Sequence, residues 1–166
     1  MLLHLFNGAV EDRKGIVTLL GYKQSREGFK FIFNGSSNLC PQCERRKVCL
    51  ENLEDGRVYE VIEVHKNRFP CSIHYEEVCV VKVVESDIEA AVPVKMAIEG
   101  SVIAYNPQDC SDYECSNFHL CVPKGLVKGD KCKIMEVREP LKCPLNRSLV
   151  EVLLRRVHGA HKTPQS

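Results

Sequence analysis

The chain has 166 residues, 44% apolar and 27% charged, a balance that suits an ordinary globular protein and excludes a disordered one. Its formal net charge of +1 gives no protein-wide field for gathering a polyanion, so nucleic-acid binding would need a local basic patch. No apolar run is long enough for a membrane-spanning helix, and Met1–Phe6 is too short for a signal-peptide core and lacks a positive leader.

Residues 1–14 carry no clear element. Gly15–Tyr22 and Phe29–Phe33 read as strands around a polar turn at Gln24–Gly28, with Phe29, Phe31 and Phe33 sharing one face. Asn34–Asn38 is turn chemistry, and a short helical turn is expected between Cys43 and Leu53. From Arg57 the apolar period becomes two: Val58, Glu60, Ile62 and Val64 fall on one face, Tyr59, Val61, Glu63 and His65 on the other. That predicts a strand, followed by a loop over Lys66–Pro70 that carries Cys71. Val78–Val84 is β-branched enough for a strand buried on much of both faces.

Around residues 87–100 Pro93 argues against a helix, and Ala91–Val94 suits an extended joint, so the division is placed between 92 and 93. Ser101–Tyr105, Cys132–Val137 and Ser148–Val157 then repeat the first half's strands, and His158–Ser166 reads as a frayed tail. The expected fold is mainly β: an internally duplicated pair of small β-barrel or meander halves, 1–92 and 93–166, with cysteine-bearing loops and short helical turns. Whether the halves exchange strands is left open at this point.

The duplication is clearest in the cysteines. Cys43 to Cys49 and Cys115 to Cys121 each enclose five residues, while Cys49 to Cys71 and Cys121 to Cys143 each enclose twenty-one. The flanks agree, since Leu53–Gly56 before Val58–Val64 resembles Leu126–Gly129 before Lys131–Val137. With Cys40 and Cys110, eight of the ten cysteines form two sets of four: Cys40, Cys43, Cys49, Cys71 and Cys110, Cys115, Cys121, Cys143. In a reducing compartment such sets read as metal ligands rather than disulfides, because four thiolates held by short loops make a tetrahedral zinc site or the shell of an iron–sulfur cluster.

The five-residue arm favours the cluster. C-x2-C-x5-C with one remote cysteine resembles the cluster-binding runs of iron–sulfur DNA glycosylases and related nucleases, whereas structural zinc sites usually pair two C-x2-C knuckles and neither half has a second one. Cys79 and Cys132 sit inside strands and read as core packing. His74 could replace a sulfur, but the residue equivalently placed after Cys143 is Asn146, and His65 and His119 read as surface residues. No nucleotide-binding, nucleophile-elbow or zinc-protease motif is present, and Arg45–Lys47 and Arg155–Arg156 are short basic runs with too few aromatics for a nucleic-acid footprint.

Phe31–Gly35 before Cys40, the run Cys43 to Cys49, Leu53–Tyr59 and Cys71-x2-His74 together resemble an uncharacterised family of archaeal proteins. Its members have about this length and carry two cysteine clusters thought to be iron–sulfur redox centres. The resemblance spans Val17 to Cys143 and implies metal binding in the cytoplasm, without implying an activity. The second set departs from the first by two extra residues between Cys110 and Cys115.

The leading expectation is a small cytoplasmic protein holding two iron–sulfur clusters, of 4Fe-4S type, that transfers electrons or serves a redox partner protein as an accessory, with no membrane contact. The alternative is a module in which two zinc ions staple a β fold that binds nucleic acid or a protein; a thiol redox protein is a third reading. Charge between the first and third sulfur of each set differs in sign: Arg45, Arg46 and Lys47 against Glu44 give +2, and Asp112 with Glu114 gives −2. On that count the first centre is the easier to reduce.

Overall fold

A computed structural model describes residues 13–74 and 76–158, with the side chain of Glu76 left aside. Met1–Phe6 and all of the tail after His158 lie outside the described residues. The chain divides between Ser86 and Asp87 into two units.

The first unit contains β1 (Ile16–Gly21), a 3-10 turn (Tyr22–Gln24), β2 (Lys30–Ile32), a second 3-10 turn (Cys40–Gln42), α1 (Arg46–Leu50), β3 (Val58–Cys71) and β4 (Glu76–Glu85). The second contains β5 (Ile88–Pro93), a 3-10 turn (Val94–Met96), β6 (Val102–Ala104), α2 (Phe118–Cys121), β7 (Lys131–Leu141) and β8 (Leu149–Arg156). Each makes its own antiparallel four-stranded sheet, curled as a half-barrel, in the orders β1-β4-β3-β2 and β5-β8-β7-β6. Three hairpin-linked strands with the first strand returned beside the last is Greek-key order. Among the described residues, neither sheet borrows a strand from the other half.

The duplication is residue-exact in its early elements: Ile16 and Ile88, Tyr22 and Val94, Lys30 and Val102 open equivalent elements, each pair 72 positions apart. The registers match as well, with Ile16 opposite Val83 and Ile88 opposite Leu154 on one edge. Gly56 and Gly129, at φ 77° and 94°, turn the chain into β3 and β7, and their N–H groups donate to the carbonyls of Phe33 and Tyr105 at 2.7 and 2.8 Å. A side chain there would have to adopt the left-handed region, which only glycine does without cost.

Each sheet buries one face over its own core. Tyr59, Val61, Cys79, Val81 and Val83 make the first, with Phe29, Phe31 and Phe33 packed against it from one side as their alternation predicts. Cys132, Ile134, Val150, Val152 and Leu154 make the centre of the second. Cys79 and Cys132 are thus buried within strands.

Three local readings are corrected. Lys66–Pro70 is strand: after register shifts at Val61/Glu63 and Val64/Arg68, β3 pairs again with β4 from Arg68 opposite Cys79 to Cys71 opposite Glu76. This stretch projects as a mostly exposed ribbon, so no apolar alternation marks it. The same bulge ends the two-face alternation assigned to Val58–His65: Tyr59 and Val61 are buried, but Glu63 and His65 are not. Ile88–Pro93 is an edge strand of the second sheet rather than a joint, paired from Ile88–Leu154 to Pro93–Leu149. Pro93 is tolerated as its last residue at a sheet edge, and the division falls at 86/87 accordingly.

Candidate metal centre

In the first unit, Cys40 opens a 3-10 turn whose next residue is Pro41, and the extended Cys43 closes it with a 3.0 Å bond from its N–H to the carbonyl of Cys40. Proline preset for a turn and missing an N–H that would be orphaned there explains the tight pair. Cys49 lies on α1, and its carbonyl accepts from the buried hydroxyl of Thr18 on β1 at 3.2 Å, which pins the helix to the sheet. Cys71 arrives as the last residue of β3. Arg45 lays its guanidinium 4.3 Å from the centroid of the Phe69 ring, so the cysteine loop is held against the strand that delivers Cys71.

These four cysteines line one cavity, with His74. Without metal, the thiol of Cys49 is pushed up to about 11 by burial first, then by the neighbouring thiols of Cys40, Cys71 and Cys43. Burial lowers the pKa of His74, leaving a neutral imidazole beside them. The Ser37 hydroxyl sits 3.8 Å from the Cys40 sulfur and accepts from the N–H of Leu39 at 3.2 Å, and it would donate to that sulfur once Cys40 is a thiolate, which can only accept.

The second unit repeats the construction with other side chains. Cys110 and Cys115 lie in the loop before α2, Cys121 ends α2 and is buried, and Cys143 follows β7. All four line a single small cavity. Burial and then the thiols of Cys110, Cys115 and Cys143 raise the pKa of Cys121, while Arg147 lowers it. Asn117, 72 positions after Arg45, donates from its side-chain amide to the carbonyl of Lys142 at 3.0 Å. The equivalent position thus ties the cysteine loop to the segment that delivers the fourth cysteine in both units, by a ring contact in one and a hydrogen bond in the other.

The two sets stay separate: each cavity takes all four cysteines of its own set and none of the other. Among the described residues, no group of three or more His, Cys, Asp or Glu side chains is placed to hold a single metal ion. Each set instead shares a cavity.

Ser37, Thr18, Phe69, Asn117 and Arg147 are the neighbours that spacing alone does not reveal. Ser37, Phe69, Asn117 and Arg147 each lie within four residues of a cysteine of the sets, but nothing in the cysteine spacing marks their contacts, and Thr18 is far from all of them. No helix among the described residues is long and apolar enough to cross a membrane.

The chain belongs to the uncharacterised protein family UPF0179, whose model matches residues 16–154, a span that takes in both cysteine sets. It is 41% identical over 141 residues to the UPF0179 protein of Methanosarcina mazei, covering 83% of this chain and 94% of that one. It is 42% identical over 143 residues to the relative from Methanothermobacter thermautotrophicus, covering 84% and 97%. With the Pyrococcus abyssi relative it shares 39% over 128 residues, covering 77% and 89%. No solved structure matches.

Proposed function

We propose that this member of the UPF0179 family is a small cytoplasmic metalloprotein that holds two iron–sulfur clusters, one in each half, and works in electron transfer or as the redox accessory of a partner protein. The observation that carries the reading is that two sets of four cysteines, duplicated in spacing, each line one cavity. Cys40, Cys43, Cys49 and Cys71 would hold the first cluster, and Cys110, Cys115, Cys121 and Cys143 the second. A bound cluster supplies a one-electron couple.

The chain's own residues do the rest. The 3-10 turn and α1 bring three sulfurs of the first set together, and the β3 ribbon brings the fourth. Thr18 and Arg45 hold the first cysteine loop to its sheet, and Asn117 ties the second loop to the residue before Cys143, so the sulfurs are positioned by packed elements. Of the eight cysteines Cys121 is buried, Cys43 exposed and the rest partly buried, and Ser37 is placed to offer Cys40 a hydrogen bond of the kind that tunes a cluster's potential. Ten cysteines free of disulfides fit a reducing compartment.

Iron, acid-labile sulfide and zinc measured on anaerobically purified protein test the proposal. Broad visible absorption, with iron and sulfide in equal amounts and little zinc, is the expected result. A colourless protein with two zinc ions per chain would replace it with the zinc-stapled module.

A further inference from the structure

The cavity at the first cysteine set is about 610 Å3, whereas the one at the second set is about 10 Å3. A metal group held by four cysteines needs similar room in each half, although the first pair of each set is spaced differently, so most of the 610 Å3 is not explained by the sulfurs. The second unit also has a more open depression of about 650 Å3 beside Cys110, but it reaches none of the other three sulfurs, no residue of β5 or β6 and no aromatic side chain, so the room in the second half lies away from its cysteine set. Room on this scale, with an apolar floor and a few polar groups, is what small-molecule sites usually provide.

Two local differences accompany the first cavity. Ile32 at the end of β2 is followed by seven residues before Cys40, whereas Ala104 at the end of β6 is followed by five before Cys110, so the first linker is two residues longer, and several of its residues line the cavity. Arg46 stands where, 72 positions on, Phe118 packs against Tyr113 at a centroid distance of 4.9 Å. An aromatic pair thus occupies this part of the second loop, where the first loop has an exposed cation.

The lining states what would fit. Phe31, Phe33 and Leu53 give an apolar face that already packs on the core beneath. Arg46 lines the same cavity and, among the described residues, its guanidinium makes no ion pair, hydrogen bond or ring contact. A guanidinium fork matches a carboxylate through two parallel hydrogen bonds. The other charged groups of the lining are Glu44 and Arg45, and the Arg45 guanidinium already lies over the Phe69 ring.

We propose that the first half binds a small organic carboxylate with a flat apolar body, the body seated against Phe31, Phe33 and Leu53 and the carboxylate held by Arg46. The site is independent of which metal the cysteines take.

Titration calorimetry on the full, anaerobically purified chain tests it with benzoate, benzyl alcohol and inorganic phosphate as probes. Benzoate should bind saturably, and the two others more weakly by on the order of tenfold, since each lacks half of the recognition. Arg46→Gln should weaken benzoate by a similar factor while leaving benzyl alcohol binding and metal content unchanged. Lys142→Gln, at the second set, should change nothing. Benzoate that fails to saturate, that ignores Arg46→Gln, that is lost in Lys142→Gln, or that phosphate matches in affinity overturns the proposal. Iron measured on the same samples keeps this outcome separate from the cluster reading: zinc-loaded protein that still binds benzoate sinks only the latter.

Discussion

The two halves share a backbone and differ in what surrounds the sulfurs. Strand order, registers, glycine turns and cysteine positions correspond. Yet the first cavity is wide and is lined by Glu44, Arg45, Arg46 and His74 beside its apolar residues, while the second is small and lined mostly by Leu141, Leu145, Leu149 and Pro144 beside its cysteines. The comparison teaches that cysteine spacing sets the frame, and that the residues between and after the cysteines decide what reaches it. It also separates the cysteines by role: Cys49, Cys71 and Cys115 each have a cysteine 72 positions away, whereas Cys79 lies opposite Leu20 in the position that Val150 takes opposite Val92.

The largest expected effect breaks one half at a time. Cys49→Ser should remove the first centre's metal, roughly half of the total, and Cys121→Ser the second's, because each set lines its own cavity. Loss of all the metal from either variant, measured by elemental analysis, would show that the sites are not independent.

A smaller effect separates ligand from packing. Cys79→Ser should lower stability by ~1–3 kcal/mol, through a hydroxyl buried among Tyr59, Val81 and Val83, and keep the full metal content. Denaturant unfolding with metal analysis reads both quantities, and loss of half the metal would make Cys79 a ligand.

Much of this frame was legible in sequence because cysteine, glycine and β-branched runs are specific signals: the spacings of five and twenty-one, the Gly56–Gly129 pair and Val78–Val84 all translate into observed structure. The missed parts have physical reasons. Ile88–Pro93 shares little with Ile16–Gly21 beyond its first residue, since two edge strands need only a strand-compatible backbone and small or aliphatic inward residues. Lys66–Pro70 is a projecting ribbon held by ladder hydrogen bonds, with no buried face to print a pattern. The bulge after Val61 breaks the parity on which face assignment depends. At the sites, Arg45 on Phe69 and Asn117 on Lys142 are contacts between segments more than twenty residues apart, invisible to any local reading.

The smallest expected effect is on potential, and here the structure narrows the contrast drawn from charge. The sequence count set +2 against −2, but only Arg45, Arg46 and Glu44 of the first loop line its cavity, and Arg147 lies near enough to the second set to lower the pKa of Cys121. Positive charge stabilises an added electron, so the first centre should still have the higher potential, by a smaller margin than the sequence count implies. Arg45 and Arg46 are not buried, and salt screens such charges. In a redox titration followed by electron paramagnetic resonance, Arg45→Glu combined with Arg46→Glu should lower the first centre's potential, and Arg147→Gln should lower the second's and widen the gap. Both shifts should shrink at high salt. Ser37→Ala should lower the first potential with no salt dependence, because it removes a hydrogen bond to sulfur rather than a solvated charge. If the arginine variants move nothing and Ser37→Ala does, then hydrogen bonding and burial set the two potentials, and the direction of electron flow inferred from charge fails.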